Sequence, residues 1–173
     1  MGRWRPPPET SSPYITAEGA EALKVELAGL WRLRRTDVVP ALSAAAAEGD
    51  RSENAEYIYR KKQLAQIDRK IHYISKRLDV IKVVDRSPAR QDRVFFGAFI
   101  EVEDEQGVRH PYRIVGADET DATRGYISID SPLARALLGK DLGTSVTVEL
   151  PAGPAVFELI QVRYSVDSGS SPG

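Results

Sequence analysis

The chain has no cysteine among its 173 residues, only two histidines, and almost no net charge. The missing cysteine excludes a disulfide framework and thiolate-held metals, and it is compatible with a reducing compartment. The two histidines, His72 and His110, stand far apart in the chain, which argues against a histidine-based zinc site. A net charge of −1, from 24 basic and 25 acidic residues, gives no case for bulk attraction to nucleic acid. Any such attraction must be local. No stretch approaches the ~20 consecutive apolar residues of a membrane span. The start, Met1 to Pro8, lacks an apolar signal core. A cytoplasmic protein is expected.

What is present is ordinary for a globular chain: 42% hydrophobic and 28% charged residues, enough for one or two domains. The hydrophobic period divides it. Residues 1–13, rich in Pro and Ser, read as a flexible tail. Thr16 suits a helix N-cap, with Gly19 tolerated in the first turn. Ala20, Leu23, Leu27 and Leu30 then form a seam at alternating three and four spacing. Arg34 and Asp37 fall on that seam, while Val38 and Leu42 offer a shifted apolar stripe. Pro40, inside the pattern, predicts a kink or local bulge. Ala44 to Ala47 is helical and slim. The second helix carries a cleaner seam: Tyr57, Leu64, Ile67, Ile71, Ile74, Leu78 and Ile81, interrupted by Arg60. The two pair as an αα-hairpin over 14–84. Arms of roughly 30 residues give a rod of about 45 Å. Its stripe is its own core, and its length suits reach better than stability.

Between the arms lies Gly49-Asp50-Arg51-Ser52-Glu53-Asn54-Ala55-Glu56-Tyr57. Gly49 fits a helix C′ position. Asp50 and Glu53 are spaced as the N-cap and N3 of a capping box. They also make a pair of carboxylates at an exposed tip, and Mg²⁺ is commonly held by one or two carboxylates with water or phosphate completing its shell. A partner would then supply the rest of the site. The two readings are compatible. Behind the tip, Arg60, Lys61 and Lys62 are either a solvated face or a local contact for phosphates.

Residues 85–93, with Pro88 and a charged run, read as a linker. From Val94 the period becomes alternating. Strands are expected at 94–103, 108–115, 126–129, 144–150 and 155–164, with a short helix capped by Ser131, opened by Pro132 and ended by Gly139. The whole is an α+β chain: a helical hairpin followed by a domain of mainly antiparallel strands over 94–164. Residues 165–173 read as a second flexible tail. Gly116 to Asp121 is an acidic loop whose default reading is solvated surface. Six aromatics, Phe95, Phe96, Phe99, Tyr112, Tyr126 and Phe157, could line a pocket, although core packing is their commoner use.

The loop Gly49 to Tyr59, followed by Lys61-Lys62, resembles the tip of the bacterial Gre family of transcript cleavage factors, its GreB branch most. A second match runs from Gly125 to Lys140, and the opening Tyr14 to Gly19 fits as well. The resemblance spans residues 14–164. It implies that the C-terminal domain folds like the FK506-binding proteins and docks on RNA polymerase, with Asp118, Glu119, Ser131 and Pro132 as contact candidates. It implies that the rod enters the polymerase secondary channel and sets Asp50 and Glu53 at the active site, sharing a Mg²⁺ ion there. Glu56 is a lesser acidic candidate. Arg60, Lys61 and Lys62 would guide the nascent RNA 3′ end, in a patch where Gln63 replaces an expected basic residue. On this reading the chain is a cofactor of RNA hydrolysis by the polymerase and not itself an enzyme. The alternatives are a channel modulator without cleavage activity, a prolyl isomerase with a helical appendage, and a plain coiled-coil adaptor.

Overall fold

The computed structural model describes residues 4–6, 11–50 and 53–164. The tail segments 1–3, 7–10 and 165–173 lie outside the described residues, as do Arg51 and Ser52. The chain forms two compact units, one within Met1–Pro6 and Ala20–Ile81 and the other within Pro7–Gly19 and Lys82–Gly173.

The helical unit is an antiparallel hairpin. Its first arm is α1 (Ala17–Leu33), a π-helical turn (Arg34–Val38) and α2 (Val39–Ala46); its second is α3 (Ala55–Val80). Ala20 and Leu23 are buried, as are Ile67, Ile71 and Ile74 on the facing arm. The π turn explains the seam's weak middle. Pro40 has no N–H to give to the preceding turn. One residue is looped into the ladder just before it, and Val39 N–H reaches back to Arg34 O. That extra residue rotates the apolar stripe. Val38 becomes fully buried against Ile67 and Ile71, with Leu27, Leu30 and Leu64 around it. The bulge expected near Pro40 is therefore present, and the helix resumes beyond it.

The residues that break the seam pair with the opposite arm. Arg34 Nε lies 2.7 Å from Asp68, and Arg60 Nη1 lies 3.5 Å from Asp37. Lys70 pairs with Glu26. Partly exposed pairs add little to stability. They do fix register, because a slipped pairing would leave several charges facing apolar neighbours. From the expected tail, Trp4 packs edge-on against Tyr73 at 5.3 Å, with the Lys70 ammonium 5.4 Å from its ring centre.

The globular unit holds a five-stranded sheet in the order β5 (Tyr126–Ser128), β4 (Arg109–Val115), β3 (Phe99–Asp104), β7 (Gly153–Arg163) and β6 (Ser145–Leu150). All pairings are antiparallel except β4 with β5. One face carries Ile100, Val102, Ile114, Val146, Val148 and Leu159, which pack with Ala134 and Leu137 of α4 (Pro132–Leu137) as the core. Ser131 caps α4 by accepting from Ala134 N–H at 3.3 Å, as its position before Pro132 predicts. Two strands flank the hairpin in sequence, β1 (Tyr14–Thr16) and β2 (Lys82–Val84). They pair in parallel, with Lys82 N–H donating to Pro13 O at 2.8 Å. Residues 11–19 and 82–84 thus pack with the globular unit. The hairpin proper is shorter than the 14–84 its period suggests.

Glu119 secures this junction. Its carboxylate accepts from Thr16 N–H at 3.0 Å, from Gly116 N–H at 2.8 Å and from the Thr16 hydroxyl. The same hydroxyl oxygen accepts from Gly19 N–H at 3.0 Å and so caps α1. Two glycines make room. A Cβ on Gly19 would overlap the Glu119 carboxyl, and one on Gly116 would overlap Tyr14 O. The acidic loop is therefore not simply solvated surface: its glutamate is an internal fastener. Glu119→Ala leaves buried Thr16 donors without an acceptor. It is expected to lower unfolding free energy by about 2–3 kcal/mol in a denaturant titration, with Glu119→Gln losing less. An unchanged midpoint for Glu119→Ala would contradict this role.

Candidate functional site

α2 ends at Ala46, and Glu48 N–H donates to Ala45 O at 3.2 Å. Gly49 then turns the chain at φ +125°, a backbone that a residue with Cβ rarely adopts. Asp50 and Glu53 follow, both exposed. They do not form the expected capping box. The N-cap of α3 is Asn54, whose Oδ1 accepts from Tyr57 N–H at 3.1 Å. The helix begins at Ala55, too late for Asp50 to reach an N3 amide. Asn54 Nδ2 also donates to Ala45 O at 2.8 Å. One side chain thus opens the outgoing helix and holds the end of the incoming one. Ala45, only 3% exposed, lets the arms come close enough for that bond. The N-cap residue of α3 is thus Asn54 and not Asp50.

Arg60, expected in the basic patch, is engaged by the hairpin. It pairs with Glu56 at 2.8 Å, one turn before it, and donates to Gln63 at 3.1 Å. With Asp37 across the seam, it sits in an acidic surrounding that raises its pKa above the ordinary guanidinium value, the hydrogen bond to Glu56 contributing most. Glu56 is accordingly committed to Arg60. Lys61 and Lys62 are exposed, with the Lys61 ammonium 5.9 Å from the Tyr57 ring centre.

Four further candidates lie in the globular unit. Glu119 is the junction fastener, Ser131 the helix cap, and Pro132 the exposed N1 residue of α4; Asp118 is half-buried. The six aromatics do not converge. Tyr112 and Phe157 pack on the core, whereas Phe99 and Tyr126 lie beneath the Arg113 guanidinium on the other face of the sheet. Only Phe96 lines the unit's cleft of about 160 Å³, whose other walls are mainly polar.

Among the described residues, no group of three or more His, Cys, Asp or Glu side chains gathers as a metal cluster. Two exposed carboxylates suit a hard cation such as Mg²⁺, but only as part of its shell. Sequence reasoning missed Asn54. Its type, and its place three residues before Tyr57 at the helix start, were the available signals.

Two family profiles match the chain. "Transcription elongation factor, N-terminal" covers residues 13–83, and "Transcription elongation factor, GreA/GreB, C-term" covers residues 89–164. A helical hairpin with an acidic turn, joined to an α+β sheet unit, is thus the two-part build of an elongation factor. The chain belongs to the GreA/GreB family of transcription elongation factors. Within it the sequence is GreB-like. It is 59% identical over 166 residues to "Transcription elongation factor GreB" of Xanthomonas axonopodis pv. citri (strain 306), covering 95% of this chain and 99% of the relative. It is 52% identical over 164 residues to the protein of that name from Pseudomonas aeruginosa, covering 95% and 98%. Among solved structures, GreA factor homolog 1 (Gfh1) of Thermus thermophilus is similar at 22% identity, covering 87% of this chain and 97% of that one, with a TM-score of 0.41. No described helix is long and apolar enough to cross a membrane.

Asn54→Ala removes both the cap and the bridge to Ala45. It is expected to cost about 1–2 kcal/mol and to speed hydrogen exchange at the Tyr57 amide. Exchange there at the wild-type rate would show that Asn54 does not hold the turn.

Proposed function

We propose that the protein binds bacterial RNA polymerase, inserts its helical hairpin into the secondary channel and stimulates cleavage of nascent RNA in backtracked or arrested complexes. The observation that carries this reading is the tip: two exposed carboxylates, Asp50 and Glu53, just ahead of the Asn54 cap that joins the two arms. Family membership supplies the process, transcript elongation. Asp50 and Glu53 would hold part of the shell of a Mg²⁺ ion beside the polymerase's own carboxylates. A bound Mg²⁺ supplies charge to stabilise the attacking and leaving oxygens of phosphodiester hydrolysis. What this chain's residues do is narrower. They bring two oxygen ligands to the polymerase centre, while Lys61 and Lys62 attract the RNA backbone. The catalytic centre belongs to the complex, so the chain acts as a cofactor of hydrolysis.

The globular unit is read as the docking module, with Asp118, Ser131 and the exposed Pro132 as its contact candidates beside Glu119. The likeness to the FK506-binding fold, implied by the family, brings no isomerase activity with it, since fold alone does not define function. The arrangement of the aromatics gives that activity no support.

The test uses stalled, backtracked elongation complexes with end-labelled RNA and Mg²⁺. Wild type should shorten the RNA rapidly. Asp50→Asn and Glu53→Gln should reduce the rate by about a hundred-fold or more while binding to polymerase persists. Binding without cleavage by wild type would favour the alternative, a channel modulator. Absence of polymerase binding would remove the proposal.

A further inference from the structure

Tyr59 follows the acidic turn in the chain. It is 60% exposed, on the first turns of α3 beside Lys61 and Lys62, and Ile58 next to it is 40% exposed. Tyr57, Arg60 and Leu64 face the hairpin interior, so Tyr59 and Lys62, three residues apart, point away from it on one stripe. Helical side chains lean toward the N-terminus, which sets Tyr59 over the turn of Ala55, on the side of the acidic loop. Ala55 is small and leaves the ring uncovered there.

The ring is also braced. The Arg60 guanidinium lies 5.6 Å from its centre, and Arg60 is itself tied to Glu56, Gln63 and Asp37. One flank of the tyrosine thus meets a fixed cation while much of the side chain remains in water. A lone surface aromatic needs no explanation. An aromatic braced by arginine, with an exposed lysine one turn on and a carboxylate turn before it, is a different matter. Rings that stack on bases, set among cations that track phosphates, are how proteins hold single-stranded nucleic acid without reading its sequence.

We propose that Tyr59 is a base-stacking residue for single-stranded RNA, holding the nucleobase at the 3′ end of the strand whose cleavage the tip stimulates. This rests on the proposed function and adds to it a substrate contact. Asp50 and Glu53 address the scissile phosphodiester, Lys61 and Lys62 the backbone, and Tyr59 a base. Charge favours RNA over a protein surface as occupant, because Glu56, the exposed carboxylate one turn before the ring, is paired with Arg60, while Lys62 one turn after it adds an exposed positive charge. Since every base has a π face, the contact tolerates any sequence.

The test compares two backtracked complexes, one with ordinary extruded 3′ nucleotides and one whose extruded nucleotides are abasic. Each is treated with wild type, Tyr59→Ala, Tyr59→Trp and Tyr59→Leu at sub-saturating concentration, after thermal melts confirm that the exposed substitutions leave the fold intact. On ordinary RNA, Tyr59→Ala should slow cleavage about ten-fold. Tyr59→Trp should restore it and Tyr59→Leu should not. On abasic RNA, wild type should itself slow, and Tyr59→Ala should cost nothing more. Equal losses on both RNAs would overturn the inference, as would no loss on either. So would weaker binding of Tyr59→Ala to complexes that are not backtracked, which would assign the ring to polymerase. Failure of wild type to cleave ordinary RNA would overturn the proposed function itself, and this inference with it.

Discussion

The reversal between the arms rests on Asn54. A helical hairpin must end one ladder and begin another within a few residues, leaving carbonyls and amides without partners on both sides. Asn54 answers one of each, giving a hydrogen bond to Ala45 O and taking one from Tyr57 N–H. An aspartate in its place could accept but not donate, and a serine is too short to do both. Because this amide closes the turn, the two acidic side chains ahead of it need not serve as caps. The electrostatics of a helix start favour negative charge, so carboxylates are tolerated there even when the cap is made by a neighbour.

The rest of the hairpin can be understood as keeping that turn in register. The apolar seam alone would permit slippage, because Leu and Ile at regular spacing pack nearly as well one step along. Arg34 with Asp68, and Arg60 with Asp37, remove that freedom. The π turn at Arg34–Val38 absorbs the proline without ending the arm and rotates Val38 into the core. Within the globular unit, Glu119 ties Thr16 to the loop after β4. Polar groups thus carry the specificity of the structure, and apolar packing carries its bulk stability.

Much of this was legible from the sequence, for physical reasons. Period 3.6 and period 2 are properties of side-chain direction, so the helical arms and the strands of the sheet can be told apart in the sequence. Ser131-Pro132 and Gly139 bracket α4 because capping chemistry is local. The cap of α3 was misread, since Asp50-x-x-Glu53 and Asn54-x-x-Tyr57 are both plausible helix starts and only the three-dimensional turn selects between them. Glu119 was misread because its partners, Thr16 and Gly116, give no local signal: one lies 103 residues away. Arg60 looked like a free cation beside Lys61 and Lys62. Its place on the seam opposite Asp37, visible as an interruption, was the clue to its pairing.

Asp50 and Glu53 are proposed to serve as metal ligands at another molecule's active centre. The most direct measurement is the Mg²⁺ dependence of RNA cleavage in backtracked polymerase complexes, taken with saturating wild type, with saturating Asp50→Asn, and with no factor. If these carboxylates hold the ion, wild type moves half-saturation to lower Mg²⁺, while Asp50→Asn leaves the curve where the polymerase alone has it. Superimposable curves for wild type and Asp50→Asn, both displaced from that of polymerase alone, would contradict it.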